Sequence, residues 1–188
     1  CIVNNFPIKN YVDFDHPHQK NIRKVFSKFT EDIISKKNYG IDGCSAPQYA
    51  FTIEKLGKAL SNLLNSYNGN FEYSENIQTM INAILDNPKF IGGSNNLDSN
   101  LIKISNKNIF CKGGAEGVFL FVHLKKRIFG ILKVKDGNER ALPSTMYTLM
   151  KKFKILNKEE LNDFISWNRT GLYNHAKIKV GSITTIIE

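Results

Sequence analysis

The chain has 188 residues, of which 41% are hydrophobic and 23% are charged, and its formal net charge is +9. This composition excludes disordered and fibrous classes, and without a long apolar run or a secretory signal pattern it predicts a cytoplasmic protein that does not enter the membrane. The lysines and arginines are spread along the chain, apart from the run at 125–127, so a basic nucleic-acid-binding module is only the weaker alternative.

Three amphipathic helices are predicted in the first part of the chain, because apolar residues recur there every three or four positions. They cover residues 16–36, 52–65 and 74–85. His16 and His18 fit a cap of the first helix better than a metal site, which would need a third ligand nearby. Thr52 and Ser74 are the expected caps of the other two helices.

Two loops with neither a helical nor a strand period follow the first and third helices. The loop over 39–50 is dense in glycine, aspartate and proline, which predicts a shaped turn. The loop over 91–100 is polar and contains Gly92 and Gly93. We expect it to be either a surface connection or one wall of a pocket.

Strands dominate the predicted elements beyond residue 110. They comprise a hairpin of buried strands over 118–124 and 128–134, short helices over 144–153 and 158–167, and a last strand over 177–187 that joins the hairpin. Asn157 is the expected cap of the second short helix. The predicted fold class is α/β of the α+β type, in which helices pack on a mainly antiparallel sheet. We expect one domain over 1–188, helical over about 1–100 and strand-rich over about 101–188.

The sequence GIDGC at 40–44 contains the first candidate for chemistry. Gly40 and Gly43 permit backbone turns that let Asp42 and Cys44 point to a common side. A cysteine can bind a metal or act as a nucleophile when it is deprotonated, and a nearby aspartate can support it through a hydrogen bond. The alternative is a buried apolar cysteine beside an aspartate that forms a turn.

The sequence CKGGAEG at 111–117 contains the second candidate. Gly113 and Gly114 remove side chains beside Lys112, which opens the strand edge to a substrate. The Lys112 ammonium can then bind an anionic group or assist proton transfer, and Glu116 can bind a substrate amine. The alternative is a strand-entry bulge with a surface ion pair between Lys112 and Glu116.

Together these motifs resemble the bacterial L-asparaginase II family of the rhizobial, thermolabile type. The resemblance rests on GIDGCSAP, KGGAEGV and KVKDG in this order, and it extends over essentially the whole chain. It implies hydrolysis of L-asparagine to L-aspartate and ammonia. It also implies a fold like that of serine β-lactamases and penicillin-binding proteins, in which a serine with a lysine three residues on forms the nucleophilic unit.

The resemblance also implies roles for individual residues. Lys112 would be catalytic, Gly114 and Glu116 would bind the substrate, Cys44 would be a zinc ligand, and Asp42 would be an outer-shell partner of the metal or its water. The remaining zinc ligands and the serine-lysine unit of the family are expected before Cys1, so the fold would be incomplete at its N-terminus and the chain alone inactive.

Several alternatives stay open at this stage. A homologue of the same fold that binds a ligand without hydrolysing it would lack the serine-lysine unit altogether. Cys1 in first position favours a truncated protein over a mature lipoprotein, because apolar residues follow it at once where a tether would be polar. Relatives of this type indicate a homodimer as a possible assembly.

Overall fold

The computed structural model of the protein describes residues 1–187 and combines helices with antiparallel sheets, which confirms the predicted α+β class. The helices are α1 (Pro17–Thr30), α2 (Ile53–Tyr67), α3 (Ser74–Asp86), α4 (Lys89–Gly92), α5 (Leu97–Ile104), α6 (Leu142–Lys152) and α7 (Lys158–Phe164). The strands are β1 (Tyr39–Ile41), β2 (Pro47–Tyr49), β3 (Ile109–Gly114), β4 (Val118–His123), β5 (Ile128–Lys133), β6 (Gly171–Tyr173) and β7 (Lys179–Ser182). Along residues 1–187, no helix is both long and apolar enough to span a bilayer.

The chain divides into two compact units, Cys1–Glu72 and Tyr73–Glu188. In the first unit α1 packs against α2. His16 caps α1, since its Nδ1 accepts a hydrogen bond from the backbone N–H of His18 at 3.1 Å, which confirms the predicted cap. The predicted range 16–36 is too long, because α1 ends at Thr30 and Glu31 adopts a left-handed conformation with φ 51°.

The second helix is fixed at both its start and its middle by side-chain hydrogen bonds. Thr52 caps α2 as predicted, because its hydroxyl accepts from the backbone N–H of Lys55 at 3.2 Å. Farther along, the buried Asn62 side chain donates to the backbone carbonyl of Phe29 at 2.9 Å. That bond satisfies a carbonyl in the last turn of α1 and ties the two helices together.

The predicted loop over 39–50 contains a small antiparallel hairpin of β1 and β2, with Tyr39 opposite Tyr49. Tyr39 packs edge-on against Phe14 with ring centroids 5.0 Å apart. Aromatic contacts of this kind stabilise short strands. Strands of three residues are too short to show an alternating pattern in the sequence, and the glycines and proline around them indicated only a loop.

The central sheet of the second unit is antiparallel in the order β3-β4-β5. The predicted hairpin is confirmed, with Val118 opposite Lys133, and β4 is largely buried. The expectation that both strands are buried is wrong for β5, which is a half-exposed edge strand. The other edge strand, β3, packs against α5. The residues of this unit that are fully buried include Ile81, Leu101, Ile102, Ile109, Cys111, Val122, Met146, Met150 and Phe164.

The last strand differs most from its prediction. Instead of joining the hairpin, β7 pairs with β6 in a separate two-stranded sheet, with Leu172 opposite Gly181. The pairing is local, because the turn between the strands is closed by the Asn174 side chain, whose oxygen accepts from the N–H of Ile178 at 3.0 Å. A nearby partner costs less loop entropy than the distant hairpin.

The helix caps of the second unit agree with the sequence in one case and not in another. Asn157 and Glu160 form the reciprocal capping box of α7, with bonds of 2.8 and 2.9 Å, which confirms the predicted cap. The expectation for Ser74 is wrong, because Ser74 is already the first residue of α3 and Tyr73 is the N-cap. The sequence also gave no indication of α5, which is only eight residues long.

Candidate functional site

A cavity of about 940 Å³ lies in the second unit, beside the end of β3. Its walls come from the α4–α5 region, the end of β3, the 3₁₀ turn Glu139–Ala141 with the start of α6, and the segment that leads into β6. Both Lys112 and Gly114 line it, and so does the loop over 91–100, which was expected to be a surface connection or a pocket wall. The cavity therefore brings together two regions that the sequence singled out separately.

Asp98 joins these two walls. It lies in the first turn of α5 and is only 5% exposed. One carboxylate oxygen, Oδ1, accepts from the N–H of Ser99 at 2.8 Å, and the other, Oδ2, accepts from the N–H of Gly113 at 3.2 Å. The second bond uses a backbone donor of β3 that would otherwise be unpaired, because β3 is an edge strand.

Gly92 makes room for that carboxylate. A Cβ atom at residue 92 would lie 1.8 Å from Oδ1 of Asp98 and 2.6 Å from its carboxyl carbon. By contrast, a Cβ atom at Gly113 would be 3.6 Å from Oδ2 of Asp98, which is an ordinary van der Waals distance. A side chain at residue 92 would therefore displace the Asp98 carboxylate, whereas a methyl group at residue 113 would fit.

Lys112 projects from β3 at the cavity and is exposed. It lies opposite Leu120 in the sheet, and its ammonium donates to the backbone carbonyl of Gly113. Among residues 1–187 it forms no ion pair, so the alternative of a surface pair between Lys112 and Glu116 is not present. Its charge is available to a ligand in the cavity.

Glu116 lies in the turn between β3 and β4, outside the set of residues that line the cavity. Its backbone is left-handed, with φ 57°, and Gly117 follows with φ 67°. The ammonium of Lys133 donates to its backbone carbonyl at 2.8 Å. These features show a tight turn, and the substrate-binding role of Glu116 stays a prediction.

Two arginines of the cavity wall differ in their partners. Arg140 is paired with Asp136, with 2.6 Å between Nη2 and Oδ2. Arg169 has no carboxylate partner among the described residues, and its guanidinium carbon lies 4.4 Å from the ring centroid of Trp167. A stacked guanidinium keeps its N–H donors free at the edge of its plane.

Cys44 and Asp42 lie in the first unit, in the turn between β1 and β2. The Asp42 carboxylate accepts from the N–H groups of Cys44 and Ala46 at 2.8 and 2.9 Å, and from the side chain of Gln48 at 2.9 Å. These bonds, that of Ala46 first, hold the pKa of Asp42 below its usual value. Asp42 therefore shapes a turn that leaves the thiol of Cys44 exposed.

The described residues do not by themselves fit a zinc ion. No group of three histidine, cysteine, aspartate or glutamate side chains that could hold a metal occurs in residues 1–187. Structural and catalytic zinc sites use at least three such ligands. The ligand role of Cys44 thus stays a prediction.

Cys111 differs from Cys44 in the exposure of its thiol. It is fully buried in β3, and its thiol donates to the backbone carbonyl of Asp98 with 3.4 Å between sulfur and oxygen. Burial raises the pKa of Cys111 well above the usual value, and the nearby Asp98 carboxylate raises it further. Its role is structural, since it adds a second link between β3 and α5.

The sequence did not single out Asp98 or Arg169. Asp98 lies among the asparagines and serines of residues 94–100, where an aspartate usually marks a surface loop, and Arg169 lies in a short polar segment. The Gly92 and Gly93 pair marked this region of the sequence, and no pattern in it distinguished Asp98. Its contact with β3 depends on residues fifteen positions apart, which no local pattern reports.

A comparison with protein-family models gives a match over almost the whole chain. The model of the family described as L-asparaginase II matches residues 1–185. A search of curated proteins gives no significant match. The family match covers almost all of the chain, including the cavity residues and the turn with Cys44.

Gly92→Ala should destabilise the second unit, because the added methyl group would collide with the buried carboxylate of Asp98. Overpacking of this kind costs about 1–3 kcal/mol in the free energy of unfolding. Urea unfolding measures the loss, with Gly113→Ala as the matched control in the same site. A Gly92→Ala protein as stable as the Gly113→Ala protein would show that Asp98 does not occupy this position.

Cys44 and Cys111 should differ in their reaction with a thiol reagent at pH 8. Cys44 should react quickly, because it is exposed, whereas Cys111 should react only after unfolding, because it is buried and its raised pKa leaves little thiolate. Mass spectrometry of the alkylated peptides measures both rates, and Cys44→Ser identifies the fast site. Rapid labelling of Cys111 in the folded protein would contradict its assigned structural role.

Proposed function

The chain belongs to the L-asparaginase II family, and on this basis we propose that it serves the hydrolysis of L-asparagine to L-aspartate and ammonia. Family membership makes the protein an asparaginase-type amidohydrolase that acts on a small molecule. The observation that carries the specific proposal is the cavity beside β3, where Lys112 has no acidic partner among the described residues. Its volume of about 940 Å³ is ample for an amino acid.

In the proposed reaction Lys112 is a catalytic residue that contacts the side-chain amide of asparagine. Negative charge develops on the amide oxygen when a nucleophile attacks the carbonyl carbon, and a nearby ammonium stabilises that charge. Gly114 also lines the cavity, and without a side chain its backbone is open to the substrate. The backbone of Gly113 is held in place by Asp98, which keeps the strand edge fixed.

The proposed nucleophile is a serine activated by a lysine three residues later, because a serine hydroxyl is weak until a base takes its proton. The printed sequence contains no serine followed by lysine at that spacing. We therefore place the unit outside residues 1–188, and we expect the chain alone to bind asparagine without hydrolysing it. The fold like that of the β-lactamases belongs to the same proposal.

The remaining assignments rest on the resemblance. The resemblance alone favours zinc binding by Cys44 with Asp42 as its outer-shell partner, substrate binding by Glu116, and the homodimer. No step of the proposed reaction depends on zinc. A homologue of the same fold that binds a ligand without hydrolysing it is the alternative, and a serine-lysine unit in the full protein would exclude it.

Titration calorimetry of the 188-residue chain with L-asparagine tests the proposal. We expect binding, and we expect Lys112→Gln to weaken it by about tenfold, the value of a charge-assisted hydrogen bond. Lys125→Gln removes one positive charge from the exposed turn after β4 and should have no effect. The chain alone should release no ammonia from asparagine.

Each outcome of this test has a distinct meaning. Absence of asparagine binding, or equal affinity in the Lys112→Gln protein, would overturn the assigned site. Robust ammonia release by the chain alone would show that the nucleophile lies within residues 1–188. The protein isolated from its natural source should release ammonia from asparagine, and Lys112→Gln should lower that rate at least a hundredfold. This result would distinguish the enzyme from the non-hydrolysing homologue.

A further inference from the structure

Besides Lys112 and the exposed Glu139, two opposite charges of the cavity wall have no ionic partner among residues 1–187. They are the carboxylate of Asp98 and the guanidinium of Arg169. We propose that these side chains together bind the charged groups on the α-carbon of an amino acid. Arg169 would hold the α-carboxylate and Asp98 the α-ammonium. The proposal rests on the proposed function, because it names how that site selects its substrate.

The Arg169 side chain is suited to a carboxylate. Its guanidinium lies 4.4 Å from the ring centroid of Trp167, whose own side chain is almost fully buried. Stacking on a fixed indole restricts the guanidinium plane and leaves paired N–H donors at its edge, which match the two oxygens of a carboxylate. Arg140 lines the same cavity, but its guanidinium charge is already paired with Asp136.

The Asp98 side chain is suited to an ammonium. A carboxylate has about four acceptor positions, and the two N–H groups of Ser99 and Gly113 use only two of them. Asp98 is nevertheless only 5% exposed, and buried carboxylates are rarely left without a cation. A cation that enters the cavity would complete its coordination, whereas the other carboxylate of the wall, Glu139, is exposed and well hydrated.

The two charges together give a specific chemical selection. An α-amino acid carries its ammonium and its carboxylate on one carbon, so a site with both complementary charges favours it over simple amides and over dicarboxylic acids. The neutral side-chain amide then remains for Lys112. In this arrangement Asp98 has two functions, since the same carboxylate fixes the edge of β3 through Gly113.

Two analogues of L-asparagine test each charge separately by titration calorimetry with the 188-residue chain. Succinamic acid lacks the ammonium, and β-alaninamide lacks the carboxylate. Arg169→Gln should lower the affinity for L-asparagine and succinamic acid by about tenfold and leave the affinity for β-alaninamide unchanged. Asp98→Asn should lower the affinity for L-asparagine and β-alaninamide by a similar factor and leave the affinity for succinamic acid unchanged.

Matched controls come from the same cavity. Arg140→Gln and Glu139→Gln remove the same kinds of charge from its wall and should change none of the three affinities by more than about twofold. Should Asp98→Asn fail to fold, the unaltered protein still tests that half of the proposal, because it should bind β-alaninamide at least about tenfold more tightly than propanamide. Equal affinities for those two ligands would refute the role of Asp98.

The outcomes separate this proposal from the proposed function. Two results would overturn the proposed recognition while leaving the asparaginase function in place. Arg169→Gln could leave L-asparagine binding unchanged, or it could weaken the binding of all three ligands equally. Binding of L-serine with the expected dependence on Arg169, together with no binding of L-asparagine, would support the recognition and refute the substrate. If the chain binds none of these ligands, both proposals are wrong.

Discussion

The hydrogen bond from the N–H of Gly113 to the carboxylate of Asp98 is the constraint on which the candidate site depends. It joins α5 to the exposed edge of β3, and an edge strand has no other regular partner for that donor. A hydrogen bond to a charged group contributes about 1.5–3 kcal/mol, more than a neutral one. Lys112 precedes Gly113 directly, so this bond also fixes where the lysine leaves the strand.

The bond is possible only because small residues surround it. Gly92 leaves the space that the carboxylate fills, and the fully buried Cys111 provides a second link from β3 to α5 through the backbone carbonyl of Asp98. The glycines after Lys112 keep the adjoining wall free of side chains. The cavity therefore depends on the positions of the glycines as much as on its polar groups.

Features set by neighbouring residues could be predicted from the sequence. The side chains of His16, Thr52 and Asn157 cap backbone N–H groups that lie within three residues of them. The hairpin of β4 and β5 depends on two apolar runs on either side of a short turn. The pairing of β7 could not be predicted, because a β-branched segment pairs equally well with any open strand edge and only the turn at Asn174 decides. Asp98 was missed for a different reason, because its burial depends on a strand that is distant in the sequence.

The motifs predicted roles for Lys112 and Gly114, and both residues line the cavity, where their roles stay predictions. The motif around Cys44 is different, because its turn belongs to the first compact unit and the described residues offer no set of metal ligands. Asp42 explains part of that motif without a metal, since its carboxylate fixes the turn. A conspicuous motif can therefore have a structural cause, and a functional cause needs a separate observation.

The central claim is that the cavity beside β3 is where the substrate binds. A crystal structure of the chain grown with L-asparagine tests it most directly. Asparagine should occupy this cavity, with its side-chain amide toward Lys112 and its α-carboxylate within hydrogen-bond distance of Arg169. Asparagine bound at another surface, with this cavity holding only solvent, would contradict it.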